Sequence, residues 1–401
     1  MRGENMRDVA IIGVGQTKFG RTDKTCFELF AEAAHQAMED AGVTPKEIEG
    51  LWIGNCLGSH YEGVANIAPH LAWEIGAKTV PAFRLEGACT SATYAFILGW
   101  NAVASGLFDI VMVGGTERTL IAGTPYATRT FAMGDELYAS NTGSTFPGVF
   151  ASAATMYAKK YDIPIEKLRE MMAHVSIKNH AHAARNPKAQ FYKKYGDLKV
   201  EDVLSARMIA WPLTLLDCCP FTDGASAAIL CSADIARRYT DEPIYVLGVG
   251  AASGGGLSRH EEYIKAISRI QSSRRALKMA GLSPDDIQVL MAHDCFTIAE
   301  ILIYEQIGFF DWGKGAEAAA EGQTDIGGRI PVNPDGGLMG KGHPVGATGV
   351  AQVYSLVKQL RGEEVKGNQV TPVPEIGMTD NLGGTFASLG HIVLGRSKRR
   401  R

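Results

Sequence analysis

One segment of this chain occurs twice. The sequence AMEDAGVTPKEI at 37–48 recurs as ALKMAGLSPDDI at 276–287. The same distance along the chain separates WIGNC at 52–56 from its counterpart MAHDC at 291–295. This period is far longer than the roughly 20 to 50 residues of solenoid and propeller units. The repeat therefore predicts two homologous halves, whose equivalent loops should meet at one central site.

Strand-like and helical patterns alternate within each half. In the first half the apolar pattern predicts strands at 9–14, 50–53 and 110–114 and helices at 26–41 and 92–105. Such alternation is typical of parallel sheets covered by helices. Gly42 and Gly281 are expected to end equivalent helices, and a further helix is predicted after Pro284, where Ser283 is a suitable cap.

The chain also contains an interruption. Residues 118–216 form a segment too long for a simple connection between strands, and we interpret it as an inserted loop or lid domain. The predicted organisation is a first part of the N-terminal half at 1–117, the insertion at 118–216, the completion of that half at 217–247 and the C-terminal half at 248–401.

Composition narrows the classes of function. With 46% hydrophobic and 21% charged residues, a chain of 401 residues can bury a large core, and a net charge of −3 gives no reason to expect nucleic-acid binding. Seven cysteines without regular spacing favour a reducing compartment. No apolar run reaches the roughly 18 to 20 residues of a membrane span. We therefore expect a cytoplasmic protein that binds neither nucleic acid nor membrane.

Cys89 is the candidate nucleophile. It lies in GACTSA at 87–92, directly before a helical pattern, and a helix N-terminus favours a thiolate by lowering the thiol pKa to about 3.5 to 7.5. A glycine-rich loop at 340–349, GKGHPVGATG, supplies His343 as a candidate base and aligns with the Cys89 loop in the repeat. The alternative is that Cys89 is a packed thiol without chemistry.

Four motifs in this order resemble those of the thiolases: GACTS at 87–91, HDCF at 293–296, NPDGG at 333–337 and GHPVGATG at 342–349. The resemblance covers nearly the whole chain. The HDCF motif is similar to that of the sterol-carrier-protein-type thiolases and their archaeal acetoacetyl-CoA thiolase relatives. The fold that this resemblance implies is an α/β thiolase fold of five layers, α-β-α-β-α, built from two homologous halves with a loop domain inserted in the first.

The resemblance also implies catalytic roles. Cys89 would be the acylated nucleophile, His343 the base, and His293 a hydrogen-bond donor to an oxyanion. The backbone N–H groups of Cys89 and Gly383 would form a second oxyanion hole. Many thiolases carry another catalytic cysteine near the C-terminus, but Asn381 occupies that position here, so Cys295 is predicted to be the second catalytic thiol.

The implied activity is that of an acetyl-CoA C-acetyltransferase of the mevalonate pathway. Its substrates would be acetyl-CoA, acetoacetyl-CoA and CoA, with no metal and no organic cofactor. The resemblance further implies a homodimer or tetramer, and a multienzyme complex with HMG-CoA synthase and a small zinc-ribbon/OB-fold protein.

Alternative functions remain open at this point. One is a degradative 3-ketoacyl-CoA thiolase of longer acyl chains, and another is a retro-aldolase acting on a steroid side chain. A non-catalytic lipid-carrier or scaffold subunit is the third, although such a protein should have lost at least one of Cys89, Cys295 and His343.

Basic side chains are concentrated in the inserted segment. Because charge-assisted hydrogen bonds are strong, we predict that some of them contact the phosphates of CoA. The alternative is a solvated helix face. The candidates are Lys178, Arg185, Lys188, Lys193 and Lys194.

Overall fold

The fold was analysed in a computed structural model that describes residues 6–134, 141–255, 262 and 264–398. Eleven strands are present in these ranges. They are β1 (Val9–Gln16), β2 (Leu51–Gly54), β3 (Ala82–Leu85), β4 (Ile110–Glu117), β5 (Met208–Ala210), β6 (Leu213–Thr214), β7 (Gly224–Ser232), β8 (Ile244–Ser253), β9 (Leu290–Met291), β10 (Ile376–Gly383) and β11 (Ser388–Gly395).

Twelve α-helices are present in the same described ranges. They are α1 (Cys26–Ala41), α2 (Gly58–Tyr61), α3 (Ile67–Glu74), α4 (Ser91–Ala104), α5 (Gly123–Phe131), α6 (Phe146–Lys160), α7 (Ile165–Arg185), α8 (Val200–Ser205), α9 (Ile267–Ala280), α10 (Thr297–Ile307), α11 (Gly315–Ala320) and α12 (Thr348–Arg361). None of them combines the length and the apolar character that crossing a membrane requires.

The strand order makes the repeat visible. Nine strands follow the order β3-β2-β4-β7-β1-β8-β11-β10-β9, and the two halves join where β1 pairs antiparallel with β8. Counted outward from this junction, β1, β7, β4 and β2 match β8, β11, β10 and β9. The sheet is mixed rather than wholly parallel: β2 is parallel to β3 and β4, whereas β7 and β11 run antiparallel to both neighbours.

The two halves of the sheet form two layers, and helices lie on the outer face of each half and between the halves. α1 packs on β1 and β7, and α9 packs on β8 and β11, so these two helices cover the outer faces. α4 and α12 pack against each other and against strands of both halves, and so fill the space between them. The layers therefore run α-β-α-β-α, as predicted.

Local chemistry explains the helix ends that were predicted correctly. Thr25 accepts a hydrogen bond from the Glu28 amide, and the Glu28 side chain accepts one from the Thr25 amide, which forms a capping box before α1. Gly42 and Gly281 end α1 and α9 in the left-handed conformation, with φ of 66° and 72°.

Two expectations from the sequence differ from the structure. The helix predicted after Pro284 is wrong: Pro284–Asp286 form only one 3₁₀ turn, because the chain becomes extended at Ile287 on its way into β9. The proposed boundary between residues 247 and 248 falls inside β8, a single continuous strand. The insertion itself begins directly after β4 and carries α5 to α8.

Candidate active site

Cys89 lies in a tight turn that leads directly into α4. The preceding residue, Ala88, has a φ of 51°, which is uncommon for a residue other than glycine. Its amide donates to Glu86 Oε1 at 2.7 Å, and its carbonyl accepts from Ser91 Oγ at 2.6 Å. These bonds hold Cys89 at the helix N-terminus that the sequence predicts.

The thiol of Cys89 does not have the low pKa that this position suggested. Burial raises its pKa to about 12, and this effect outweighs the N–H groups of Gly384 and Cys89, which lower it. The charges of Glu117 and Glu86 raise the pKa further. The helix end therefore does not lower the pKa of this thiol overall, because loss of water costs more than the helix end provides. Chemistry at this sulfur requires a base.

Two histidines of the second half face Cys89. The sulfur and one ring nitrogen from each of His293 and His343 all lie within 4.8 Å of one another. The two rings meet edge to face with centroids 5.0 Å apart, and the side chains are 1% and 4% exposed. Burial lowers both pKa values, that of His343 to about 3. Both rings are therefore neutral at physiological pH, and each can accept a proton.

The environment of His343 suits a group that first takes and then returns a proton. Its Nδ1 lies 2.7 Å from Thr348 Oγ1, and its amide donates to Thr222 Oγ1 at 2.9 Å. The Thr348 hydroxyl donates to the Pro344 carbonyl at 3.0 Å, so it accepts from a protonated Nδ1 of His343. This arrangement leaves Nε2 with the lone pair that takes and later returns a proton.

Cys295 is the second buried thiol of the site. The residue is 7% exposed, and its backbone carbonyl oxygen accepts a hydrogen bond from the Cys219 amide at 3.0 Å. Burial raises its pKa well above the usual value, and the electrostatic effect of Cys89 is the next largest cause. Cys295 is thus protonated at rest and lies close enough to Cys89 for the two thiols to influence each other.

Asp294 fixes the loop that carries His293 and Cys295. Its carboxylate accepts from the Leu338 amide at 2.6 Å, the Met339 amide at 3.1 Å and Asn179 Nδ2 at 2.8 Å. A Cβ atom at Gly337 would lie 2.3 Å from this carboxylate, so the second glycine of the NPDGG motif is required for the close approach. The segment around the NPDGG motif and the inserted segment, which carries Asn179, therefore together hold the loop of His293 and Cys295 in place.

Two consecutive glycines adjoin the nucleophile turn, and the role of Gly383 in the second oxyanion hole stays a prediction. The amide of Gly384 lies within hydrogen-bonding reach of the Cys89 sulfur. Gly383 is the last residue of β10, and a Cβ atom there would lie 2.1 Å from the Gly87 carbonyl oxygen. Gly383 thus allows the nucleophile turn to approach closely, and Gly384 presents its N–H group to the sulfur.

Glu117 is a buried residue of the site that sequence reasoning missed. Its carboxylate accepts from the amides of Cys56 at 2.8 Å, Leu57 at 3.1 Å and Gly346 at 3.1 Å. Burial raises its pKa to about 7. Glu117 thereby attaches the glycine-rich loop of His343 to the first half. Its position at the end of β4 was the available signal, since polar residues at strand ends often line active sites.

Lys178 and Lys188 are not free to bind phosphate, so the prediction is wrong for both. Lys178 is buried, pairs with Glu300 Oε1 at 2.9 Å and donates to the Val332 carbonyl at 2.8 Å. Lys188 donates to Gln36 Oε1 at 2.8 Å and to the Gln16 carbonyl. Both amines are committed to the protein interior, whereas Arg185, Lys193 and Lys194 are exposed.

Replacement of Lys178 by methionine should lower the free energy of unfolding by about 3–5 kcal/mol, because it leaves the Glu300 carboxylate buried without its counter-charge. Chemical denaturation measures this loss. Lys194→Met is the matched control on an exposed side chain and should stay within about 0.5 kcal/mol of the unsubstituted protein. Equal stability of the two variants would contradict the interior role of Lys178.

A cavity of about 730 Å³ lies in the inserted segment. Tyr126, Arg129 and Met133 contribute to its lining, and Cys89 is not among the lining residues. Gly134 follows the lining in the chain, and its carbonyl oxygen would be 2.5 Å from a Cβ atom at Gly384.

Three ligand-type side chains, two of them histidines, lie close together at one place in the described ranges. Within these ranges, Cys89, His293 and His343 form the only group of three ligand-type residues close enough to hold an ion. In α7, Nδ1 of His180 and of His182 lies 2.8 and 2.9 Å from the carbonyl oxygens of Ser176 and Asn333. The absence of a metal cofactor remains a prediction.

Known protein families and individual proteins are similar to this chain over most of its length. The family profile described as "Thiolase, N-terminal domain" matches residues 9–234, and "Thiolase C-terminal domain-like" matches residues 251–396. The chain is 42% identical to an acetyl-CoA acetyltransferase of Methanothermobacter thermautotrophicus, over 95% of this chain and 97% of the relative. It is 32% identical to sterol carrier protein 2 of Oryctolagus cuniculus, over 94% of this chain and 70% of that protein.

Among solved structures, the chain is similar to the Ltp2-ChsH2(DUF35) aldolase. The TM-score is 0.82 at 25% identity, and the match covers 98% of this chain and 99% of the other. The chain therefore shares its fold with a protein that is named an aldolase and whose structure includes a DUF35 partner.

Proposed function

The chain belongs to the thiolase family and is an acyltransferase, and from this premise we propose that it is an acetyl-CoA C-acetyltransferase. It would join two acetyl-CoA molecules to acetoacetyl-CoA and catalyse the reverse thiolysis through an acetyl-Cys intermediate. The observation that carries the proposal is the convergence of Cys89, His293 and His343 within 4.8 Å. The 42% identity to an archaeal acetyl-CoA acetyltransferase supports the acetyl group as substrate.

In the first half-reaction the Cys89 sulfur attacks the thioester carbonyl of acetyl-CoA. His343 takes the thiol proton, which is necessary because burial raises the thiol pKa to about 12. The backbone N–H groups of Cys89 and Gly383 would donate to the developing oxyanion. When this intermediate collapses, the proton passes to the departing sulfur of CoA, and acetyl-Cys89 remains.

In the second half-reaction Cys295, which is protonated at rest, first gives its thiol proton to the neutral His343, and the thiolate then takes a proton from the methyl group of another acetyl-CoA. The resulting enolate oxygen accepts hydrogen bonds from His293 and from the protonated His343, and the enolate carbon attacks the carbonyl of acetyl-Cys89. The Cys89 sulfur leaves as acetoacetyl-CoA forms, and it takes up the proton that His343 holds. In thiolysis the same steps run backward, so the protonated Cys295 of the resting site is then the acid that donates to the enolate carbon.

The resemblance also suggests assemblies. A homodimer or tetramer, and a complex with HMG-CoA synthase and a small zinc-ribbon/OB-fold protein, are proposed because condensation of two acetyl-CoA is uphill and benefits from a following step. The DUF35 partner named for the similar aldolase supports the small partner protein. A cytoplasmic location and a place in the mevalonate pathway belong to the same proposal.

One alternative is favoured by a specific observation. The cavity of about 730 Å³ in the inserted segment has room for more than an acetyl group, which would suit a degradative 3-ketoacyl-CoA thiolase of longer chains. The retained Cys89, Cys295 and His343 argue against a retro-aldolase and against a silent carrier subunit. Thiolysis rates on 3-ketoacyl-CoA substrates of increasing length separate the two thiolase activities.

Incubation with acetyl-CoA should add one acetyl group to the peptide that contains Cys89, because this thiol is the covalent carrier. Mass spectrometry of the digested protein detects the adduct, and Cys89→Ser should abolish it. Cys231→Ala, which removes a buried thiol in β7 away from the site, is the control and should retain it. If the active protein forms no such adduct, the thiolase mechanism does not apply.

A further inference from the structure

We propose that Asn381, oriented by Gln352, is a positioning residue that fixes the tautomer of His293 with its proton on Nε2. This inference rests on the proposed function, because its purpose is to present an N–H donor to the enolate oxygen. Asn381 stands where many thiolases carry a cysteine, and no role for it was predicted.

The orientation of Gln352 follows from two carbonyl groups. Its Nε2 donates to the Asp380 carbonyl at 2.8 Å and to the Met291 carbonyl at 3.2 Å. Carbonyl oxygens only accept hydrogen bonds, so the NH₂ end of the Gln352 amide must face them. Its Oε1 atom is consequently the end that faces Asn381.

This oxygen in turn orients Asn381. Asn381 Nδ2 donates to Gln352 Oε1 at 3.0 Å, and the flipped amide would place two acceptor oxygens against each other. The same Nδ2 atom lies 3.3 Å from His293 Nδ1. An NH₂ group has two hydrogens and no lone pair for accepting, so His293 Nδ1 must be the acceptor and carry no proton.

The tautomer of His293 follows from this contact. Burial and the neighbouring His343 keep the ring neutral, and a neutral imidazole with an unprotonated Nδ1 carries its proton on Nε2. All three side chains are at most 3% exposed, so water has little access to compete for these bonds. His293 therefore offers a donor to the substrate rather than a lone pair, which suits an oxyanion and does not suit a metal ion.

The variant Asn381→Asp tests this assignment with little change in size. A carboxylate accepts but does not donate, so it should move the His293 proton to Nδ1 and remove the donor at Nε2. We expect kcat for thiolysis to fall by roughly 10²- to 10³-fold, the effect of losing one oxyanion donor, with little change in KM. Acetylation of Cys89 should stay close to that of the unsubstituted protein, because this step does not use His293.

Two further variants complete the comparison. Asn381→Ala removes the group that donates to His293 Nδ1 but puts no acceptor in its place. The fall in kcat for thiolysis should therefore be smaller than in Asn381→Asp. Thr379→Val is the matched control, since it is a similar exchange at another buried position of β10 and should retain full thiolysis. Thermal denaturation of all three variants shows whether any loss comes from unfolding.

Nitrogen NMR on ¹⁵N-histidine-labelled protein reads the tautomer without turnover. The His293 signals, assigned by their disappearance in His293→Gln, should show a protonated Nε2 in the unsubstituted protein and a protonated Nδ1 in Asn381→Asp. A protonated Nδ1 in the unsubstituted protein, or full thiolysis by a folded Asn381→Asp, would overturn the inference. Failure to acetylate Cys89 would instead contradict the proposed function and leave the tautomer result standing.

Discussion

Replacement of Cys295 by alanine should leave acetylation of Cys89 intact while lowering both condensation and thiolysis by several orders of magnitude. The reason is that the two half-reactions need different groups. Acetyl transfer to Cys89 needs only the nucleophile, the base His343 and the oxyanion donors. Proton transfer at the methyl carbon of the second acetyl-CoA has no other group of comparable basicity in the proposed mechanism, because His293 presents an N–H group there.

The measurement follows both half-reactions on one preparation. Rapid-quench mass spectrometry gives the rate of acetyl-Cys89 formation, and steady-state assays give condensation and thiolysis. Cys231→Ala is the control for removal of a buried thiol and should behave as the unsubstituted protein. Asn381→Ala should lose far less activity than Cys295→Ala. Near-normal turnover by Cys295→Ala would show that the second catalytic residue lies in another loop.

A reversal of the Cys295 and Asn381 effects would have a specific meaning. Cys295 is protonated at rest and interacts electrostatically with Cys89, whereas Asn381 has no ionisable group and contacts His293. Greater damage from Asn381→Ala would therefore mean that donation to the enolate oxygen limits the rate more than proton transfer at carbon.

Much of the fold could be predicted because its determinants are local. α1 was predicted at its observed bounds, since Thr25 and Gly42 provide cap signals within the sequence itself. The repeat predicted the equivalence of the halves, and the motifs predicted that Cys89 and His343 would approach each other. The local pattern led to the wrong prediction of a helix after Pro284, because Ser283 and Asp286 can cap either a 3₁₀ turn or the start of a longer helix.

The electrostatic features of the site could not be predicted in this way. The pKa of Cys89 depends on how much water the folded chain removes from the sulfur, and a helix end alone does not give that quantity. Glu117 binds Gly346 across 229 positions of sequence, and Lys178 meets Glu300 across 122. Such pairs become visible only when the insertion and both halves are folded together.

His343→Ala should lower the rate of Cys89 acetylation by roughly 10²- to 10⁴-fold, the usual effect of losing a general base. Burial lowers the pKa of His343 to about 3, so its ring is unprotonated at rest and has a lone pair available for the thiol proton. The same burial raises the pKa of the Cys89 thiol to about 12, so the thiolate is scarce without this base.

The pH dependence distinguishes loss of the base from loss of structure. In His343→Ala the residual acetylation should increase steadily with pH through the alkaline range, because only the thiolate fraction reacts and that fraction rises toward the thiol pKa of about 12. In the unsubstituted protein His343 supplies the thiolate, so the rate should rise less steeply over the same range. His35→Ala, which alters an exposed histidine of α1, is the control. Acetylation by His343→Ala at the unsubstituted rate, with the same pH profile, would show that His343 is not the base that takes the Cys89 proton.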